Sequence, residues 1–175
     1  MNILETERLA LRRLTMDDVD GLLQIFADPE AMRFYPATKN RAETEGWIQW
    51  CLNSYAQNGF GLWAVVRKAD GLFLGDCGPM LQPVEDRTDL EIGYHILRSQ
   101  WGRGYATEAA RACRDYAFET LGYPRVVSIV DPLNMASRRV AEKVHTSMRE
   151  FIWVKSKKVM CLYFTERGQD SISSL

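Results

Sequence analysis

Histidine is scarce in this chain: His95 and His145 are the only two among 175 residues. Neither lies near a cysteine, and no two of Cys51, Cys77, Cys113 and Cys161 are close enough to form a metal-type pair, so no metal site is expected. The same wide spacing offers no disulfide framework; the four cysteines read as small buried hydrophobes in a reducing compartment. No apolar run is long enough to cross a bilayer. The opening Met1-Asn2-Ile3-Leu4-Glu5 lacks a basic segment followed by an apolar one, so no signal peptide is expected and the protein reads as cytoplasmic. A net charge of -1 gives no global field for nucleic acid or an anionic membrane. No repeat period and no low-complexity block divides the chain. One domain over 1–167 is expected, followed by a Ser-rich end, 168–175, that frays.

What is present is a change of period along the chain. Residues 9–14 alternate as a first strand. Thr15 with Asp18, and Asn40 with Glu43, have the spacing of helix caps with a reciprocal carboxylate. The second of these opens a helix carrying Trp47, Ile48, Trp50, Cys51 and Tyr55, which Asn58-Gly59 ends. Residues 60–66 and 72–81 read as a hairpin around Ala69-Asp70-Gly71, with Gly75 and Gly78 as bulge positions. After the polar turn Glu85-Asp86-Arg87, 90–97 is a strand leading into a long helix. There Ala106, Ala109, Ala110, Cys113 and Ala117 form a small-residue face, and Gly122 stops the helix. The apolar 126–130 reads as a buried strand parallel to 90–97. A helix over 135–144 and two strands near 148–155 and 158–165 complete the order β-α-α-β-β-β-α-β-α-β-β, which is not the regular alternation of a doubly wound nucleotide-binding fold.

The segment with chemistry in it is Trp101-Gly102-Arg103-Gly104-Tyr105-Ala106-Thr107. It follows a strand and opens a helix. Glycine lets the backbone turn tightly and approach a ligand, and the unpaired N–H groups of the first helical turn, with the helix dipole, favour a pyrophosphate. Arg98 and Arg103 add charge for further phosphates. No Gly-Lys-Ser/Thr follows, so this is not a Walker loop, and the third glycine of a dinucleotide fingerprint is missing.

On these residues the chain resembles the GNAT acetyltransferases, especially the RimJ/RimL-like branch of ribosomal-protein N-terminal acetyltransferases. The resemblance runs from Thr6-Glu7-Arg8-Leu9 to about Lys143. It is carried also by Asp28-Pro29-Glu30-Ala31-Met32, Gly61-Leu62-Trp63-Ala64-Val65 and the tandem of Glu91-Ile92-Gly93-Tyr94 with Trp101 to Ala109. It implies an α/β single-domain fold: a mixed sheet of about seven strands, splayed between 90–97 and 126–130 and flanked by about four helices. It also implies acetyl-CoA as acetyl donor, with no metal. The pantetheine arm is expected on the backbone of Ile96 and Leu97 and against Asn134. The pyrophosphate is expected on the amides of 102–107, framed by Arg98, Trp101, Gly102, Arg103, Gly104, Tyr105, Ala106 and Thr107. Two positions depart from the family's pattern. Ala141 stands where many members carry a tyrosine that protonates the leaving thiolate, and His145-Thr146-Ser147-Met148 replaces a Gly followed by Met or Phe.

The implied reaction is attack of a neutral amine on a thioester, which needs a base and a donor for the oxyanion. Glu91, beginning its strand, is the expected base, with Asp89 and Glu85 as weaker alternatives. His95 could titrate usefully, though a lone strand histidine is expected to be merely packed or exposed, and Tyr94 and Tyr105 are expected to be packing residues. Ser137, four residues before Ala141 on one helical face, is expected to serve the thiolate; the competing expectation is a local capping bond with Asn134. Phe34, Tyr35 and Trp63 are the candidates to line the acceptor pocket, with core or rim packing as the competing expectation for each. The acceptor is either a protein or peptide N-terminal α-amine or a small-molecule amine, with a non-catalytic acyl-CoA-binding domain as the alternative. Neither nucleic acid nor membrane is expected as a partner, and monomer and homodimer both stay open.

Overall fold

Two short strands open the chain in a computed structural model that describes residues 1–168: β1 (Asn2–Glu5) and β2 (Leu9–Arg13). Of the tail expected to fray, residues 169–175 lie outside the described ones. β1 is a strand beyond the seven expected. Four residues are too few to show an alternation, and what makes them a strand is their antiparallel pairing with β2, Leu4 opposite Leu11 and Glu5 opposite Ala10. Leu9 and Leu11 point inward and are fully buried.

The capping signals are honoured. Thr15 and Asp18 make a reciprocal capping box on a 3-10 turn that runs into α1 (Val19–Phe26), and Asn40 and Glu43 do the same at the start of α2 (Arg41–Asn58). Gly59 ends α2 in the left-handed conformation at φ 80°. The strands β3 (Trp63–Arg67), β4 (Phe73–Val84) and β5 (Arg87–Ile96) follow, then α3 (Tyr105–Glu119), β6 (Arg125–Val130), α4 (Met135–Val144), β7 (Ser147–Trp153) and β8 (Lys158–Glu166). β4 and β5 run longer than expected and shorten the turn between them to Glu85-Asp86, with Glu85 at φ 57°. The strands hydrogen-bond in the order β1-β2-β3-β4-β5-β6-β8-β7. The registered pair β5–β6 is parallel, as expected.

By contact the chain groups into two compact units. One comprises residues 1–78 and 93–112, the other 79–92 and 113 onward. The first has a core of Leu9 and Leu11 from β2, Leu22, Ile25 and Phe26 from α1, Ile48 and Cys51 from α2, and Trp63 and Val65 from β3. Tyr55 ties it together: its buried hydroxyl accepts from the Leu14 N–H at 3.2 Å and donates to the Leu62 carbonyl. The second unit is built on Val84, Val127, Phe151, Met160 and Leu162, with a satellite of Val130, Ala141, Cys161 and Tyr163. All four cysteines are buried thiols.

Candidate active site

In the first unit, residues 101–104 form an exposed loop that runs into the first turn of α3. Gly102 and Gly104 take φ of 75° and 82°, a region that a side chain disfavours. A Cβ at Gly102 would meet nothing within 4 Å, and one at Gly104 only the Arg8 guanidinium at 3.4 Å. Packing therefore does not require these glycines; the turn does, and the space beside them is open for a ligand. Trp101 folds back, its indole N–H donating to the Ile96 carbonyl at 2.7 Å. Behind the loop, Glu108 gathers two distant segments. Its carboxylate accepts from the Thr6 hydroxyl at 2.6 Å, the Arg8 N–H at 2.9 Å and Arg8 Nε at 2.6 Å. Desolvation alone would raise the Glu108 carboxyl; the Thr6 and Arg8 bonds outweigh it and hold the group below its ordinary range. Arg8 also donates to the Arg103 carbonyl at 3.0 Å and lies over the Tyr105 ring at 4.6 Å.

On the same unit a polar group is buried on the face of the strands that α1 and α2 cover. The carboxylate of Asp76, fully buried on β4, accepts from Trp47 Nε1 of α2 at 2.9 Å and lies 2.7 Å from His95 Nδ1 of β5. A bulge aims it there. β3 and β4 slip register between Val65 opposite Gly75 and Val66 opposite Phe73. Gly75, at φ 145°, comes so close to the His95 carbonyl that a Cβ would sit 1.9 Å from its oxygen. The His95 ring meets Phe26 edge-on at 5.2 Å and Trp47 edge-on at 5.7 Å, and lies at 5.2 Å from the half-exposed Tyr35.

In the second unit the parallel ladder between β5 and β6 registers two pairs, Leu90 with Val126 and Glu91 with Val127. Side chains then take over the strand backbones. The Glu91 carboxylate accepts from the Ile129 N–H at 3.3 Å, and the Ser128 hydroxyl donates to the Ile92 carbonyl at 2.9 Å. Ser128 in turn accepts from His145 Nε2 at 2.9 Å, and His145 Nδ1 accepts from the Thr165 hydroxyl at 3.3 Å. Burial, aided by the nearby Arg114 cation, lowers His145 to about 3, so the ring is neutral. On α4, Asn134 Oδ1 caps the helix by accepting from the Ser137 N–H at 3.1 Å.

The acetyltransferase (GNAT) domain family matches residues 8–147. The chain belongs to the GNAT acetyltransferase family. It is 42% identical over 146 residues to YkkB of Bacillus subtilis, covering 81% of this chain and 83% of that one. It is 35% identical over 148 residues to the FsC-acetyl coenzyme A-N(2)-transacetylase of Aspergillus fumigatus, covering 78% of this chain and 61% of that one. Among solved structures, an acetyltransferase from Agrobacterium tumefaciens superposes with a TM-score of 0.82 at 30% identity, covering 94% of each chain. RimL, an α-N-protein acetyltransferase solved with coenzyme A, superposes at 0.74 and 17% identity, covering 95% of this chain and 97% of that one. That likeness is one of fold, and the RimJ/RimL-like resemblance is consistent with it. The chain is an acetyl-CoA-dependent acetyltransferase of this family. Among the described residues no group of three His, Cys, Asp or Glu side chains is placed to hold a metal, and no helix is long and apolar enough to cross a membrane.

Within this GNAT frame several expected site residues move. Trp63 is 1% exposed in the core and has no surface to offer an acceptor; Trp47, which meets His95 edge-on at 5.7 Å and packs on the half-exposed Trp50 at 5.2 Å, is the tryptophan beside His95. Phe34 is partly buried beneath the Arg33 guanidinium. The Leu97 N–H is taken by the Leu74 carbonyl at 2.8 Å, so it cannot serve an added pantetheine strand; the Ile96 carbonyl accepts from the Trp101 indole and the Leu97 carbonyl from the Gln100 N–H. Arg98 is paired with Asp28 at 2.6 Å, and Tyr105 is 7% exposed, its hydroxyl accepting from Arg67. Arg8 is a cation beside the loop that its distance in sequence concealed. Asp89 bonds Arg87 and Glu85 bonds Arg149, so both alternatives to Glu91 are in ion pairs. His95, expected to be passive, is the histidine with a carboxylate. Where many family members have tyrosine, Ala141 packs with Tyr163 of β8. That hydroxyl accepts from Arg138 at 3.1 Å and donates to Glu142 at 3.3 Å.

Proposed function

We propose that this acetyltransferase moves the acetyl group of acetyl-CoA onto a primary amine, with the 102–107 loop as its pyrophosphate cradle. The observation that carries the reading is the pair of positive-φ glycines whose side-chain space is open at the mouth of α3. A pyrophosphate there would meet the N–H groups of the first helical turn, with Arg103 exposed beside them and Arg8 behind. The Ile96 and Leu97 carbonyls would hold the pantetheine arm. Acetyl-CoA supplies a thioester whose thiol, of ordinary pKa near 8.5, is a good leaving group. Tyr35 and Trp47, both against His95, would offer aromatic walls to the acceptor, which suit a cationic or partly apolar amine. Both classes of acceptor fit these walls: an N-terminal α-amine, as the name of RimL has it, and a small-molecule amine, as that of the Aspergillus relative has it. A thiol-release assay with acetyl-CoA over N-terminal dipeptides, polyamines and amino acids tests the reading. Release that depends on the amine supports it. Calorimetric binding of acetyl-CoA without release on any amine would instead make the chain an acyl-CoA-binding domain.

A further inference from the structure

We infer that His95 is the base that takes the proton from the acceptor amine and that Asp76 positions it; the inference rests on the acetyl-transfer reading above. A carboxylate only accepts hydrogen bonds, so the 2.7 Å contact to Asp76 Oδ1 puts the ring proton on Nδ1 and leaves the lone pair on Nε2. Asp76 is fixed on its other oxygen by the Trp47 indole, and it is completely buried, so the ring cannot trade this partner for water. Nε2 has no hydrogen-bond partner among the described residues, while the side chain keeps 9% of its surface.

The location agrees. His95 immediately precedes Ile96, the residue to which the loop tryptophan returns. Neighbouring side chains on a strand point to opposite faces, so His95 looks toward Tyr35 and Trp47. Gly75 brings the β4 backbone against the His95 carbonyl, which fixes the strand at this residue. Glu91 is poorer for the task, since its carboxylate is engaged with the Ile129 N–H. In the balanced step the amine nitrogen bonds to the thioester carbon and the C–S bond breaks. His95 Nε2 receives the proton that the nitrogen sheds and returns it to the departing sulfur, so amine and thioester leave as amide and thiol.

The test uses the full chain with whichever of Ser-Ala dipeptide, glycine, spermidine or tryptamine the wild type acetylates fastest. His95→Gln should lower kcat by about 10²–10⁴-fold and leave acetyl-CoA affinity within twofold. His95→Ala should regain turnover as imidazole is added, because a free base then fills the vacated place. Asp76→Asn should lower kcat while the KM for acetyl-CoA stays constant, because an amide can donate to Nδ1 and so stabilise the wrong tautomer. Should Asp76→Asn fail to fold, the two His95 variants decide. An unchanged kcat in His95→Gln, or loss of activity that imidazole does not restore, overturns the proposal and leaves acetyl transfer standing. No release by wild type on any amine would sink acetyl transfer itself, and this proposal with it.

Discussion

The two histidines of this chain are both nearly enclosed, and they differ in one respect that decides their chemistry. His95 bonds a carboxylate on one nitrogen and, among the described residues, nothing on the other. His145 is bonded on both nitrogens, between the hydroxyls of Ser128 and Thr165, and burial holds it neutral down to about 3. Burial alone therefore says little about a histidine. A ring bonded on both sides by neutral groups is a strut; a ring oriented by a buried anion with its far nitrogen unbonded is a base in waiting.

Paired substitutions would break this contrast most directly. The largest expected effect is the loss in kcat for His95→Gln, with the melting temperature changing little. His145→Ala should do the reverse: it removes a partner from Ser128 and from Thr165 and opens a cavity, costing about 2–4 kcal/mol by denaturant titration, with turnover per folded molecule preserved. Acid should reveal the same strut. The folded-state value of His145 lies near 3 and the unfolded one near 6.5, so between these values the unfolded chain binds the extra proton. The contribution is fully present above about 6.5 and is lost as pH falls toward 3, at up to about 1.4 kcal/mol per pH unit. In His145→Gln that slope between pH 6 and 4 should flatten. A slope as steep as the wild type's would mean that other groups carry the acid response.

The next effect in size concerns the loop. Gly104→Val forces a branched side chain to φ 82° and places it in the open space beside α3. At one hundred times its dissociation constant acetyl-CoA should stabilise wild type by about 2.7 kcal/mol, and this increment should vanish in the variant. A full thermal shift in Gly104→Val would remove the cofactor from this loop. Smaller still, Glu91→Gln keeps an oxygen that can accept from Ile129, so stability should move by less than about 0.5 kcal/mol and turnover by less than threefold. A drop of about 10²-fold would return the base to Glu91 and displace His95.

What could be read in the sequence follows from how local each signal is. Capping boxes at Thr15 and Asn40, the small-residue face of α3 and the 135–144 helix all lie within a few residues of their partners, and each formed as expected. β1 escaped because only its pairing with β2 makes it a strand. The Glu108 hub joins the Thr6-Glu7-Arg8-Leu9 motif to the α3 motif across 100 residues, which explains physically why both stretches carry the family resemblance; no spacing rule could have joined them. Asp76 gave no signal, because nothing local in the strand 72–81 shows that a bulge turns this side chain toward His95. His145 was legible only as a departure from the family's glycine. Its reason became visible when Ser128 and Thr165, from two other strands, closed around it.

The smallest expected effect is on stability in Ser137→Ala, and it separates two roles that the sequence left level. The cap at this helix uses the Asn134 side chain and the Ser137 backbone N–H, so the Ser137 hydroxyl is not what caps α4. Alanine keeps the N–H and has the better helix propensity, so stability should change by no more than about 0.5 kcal/mol in either direction. Asn134→Ala, which removes the cap itself, should cost about 1 kcal/mol. If the Ser137 hydroxyl donates to the departing thiolate, Ser137→Ala should lower kcat several-fold while the KM for acetyl-CoA holds. The loss should grow when the acetyl donor carries a more basic thiol, because a poorer leaving group depends more on a donor. An unchanged kcat with both donors would take Ser137 out of the chemistry and leave the thiolate to the proton carried on His95.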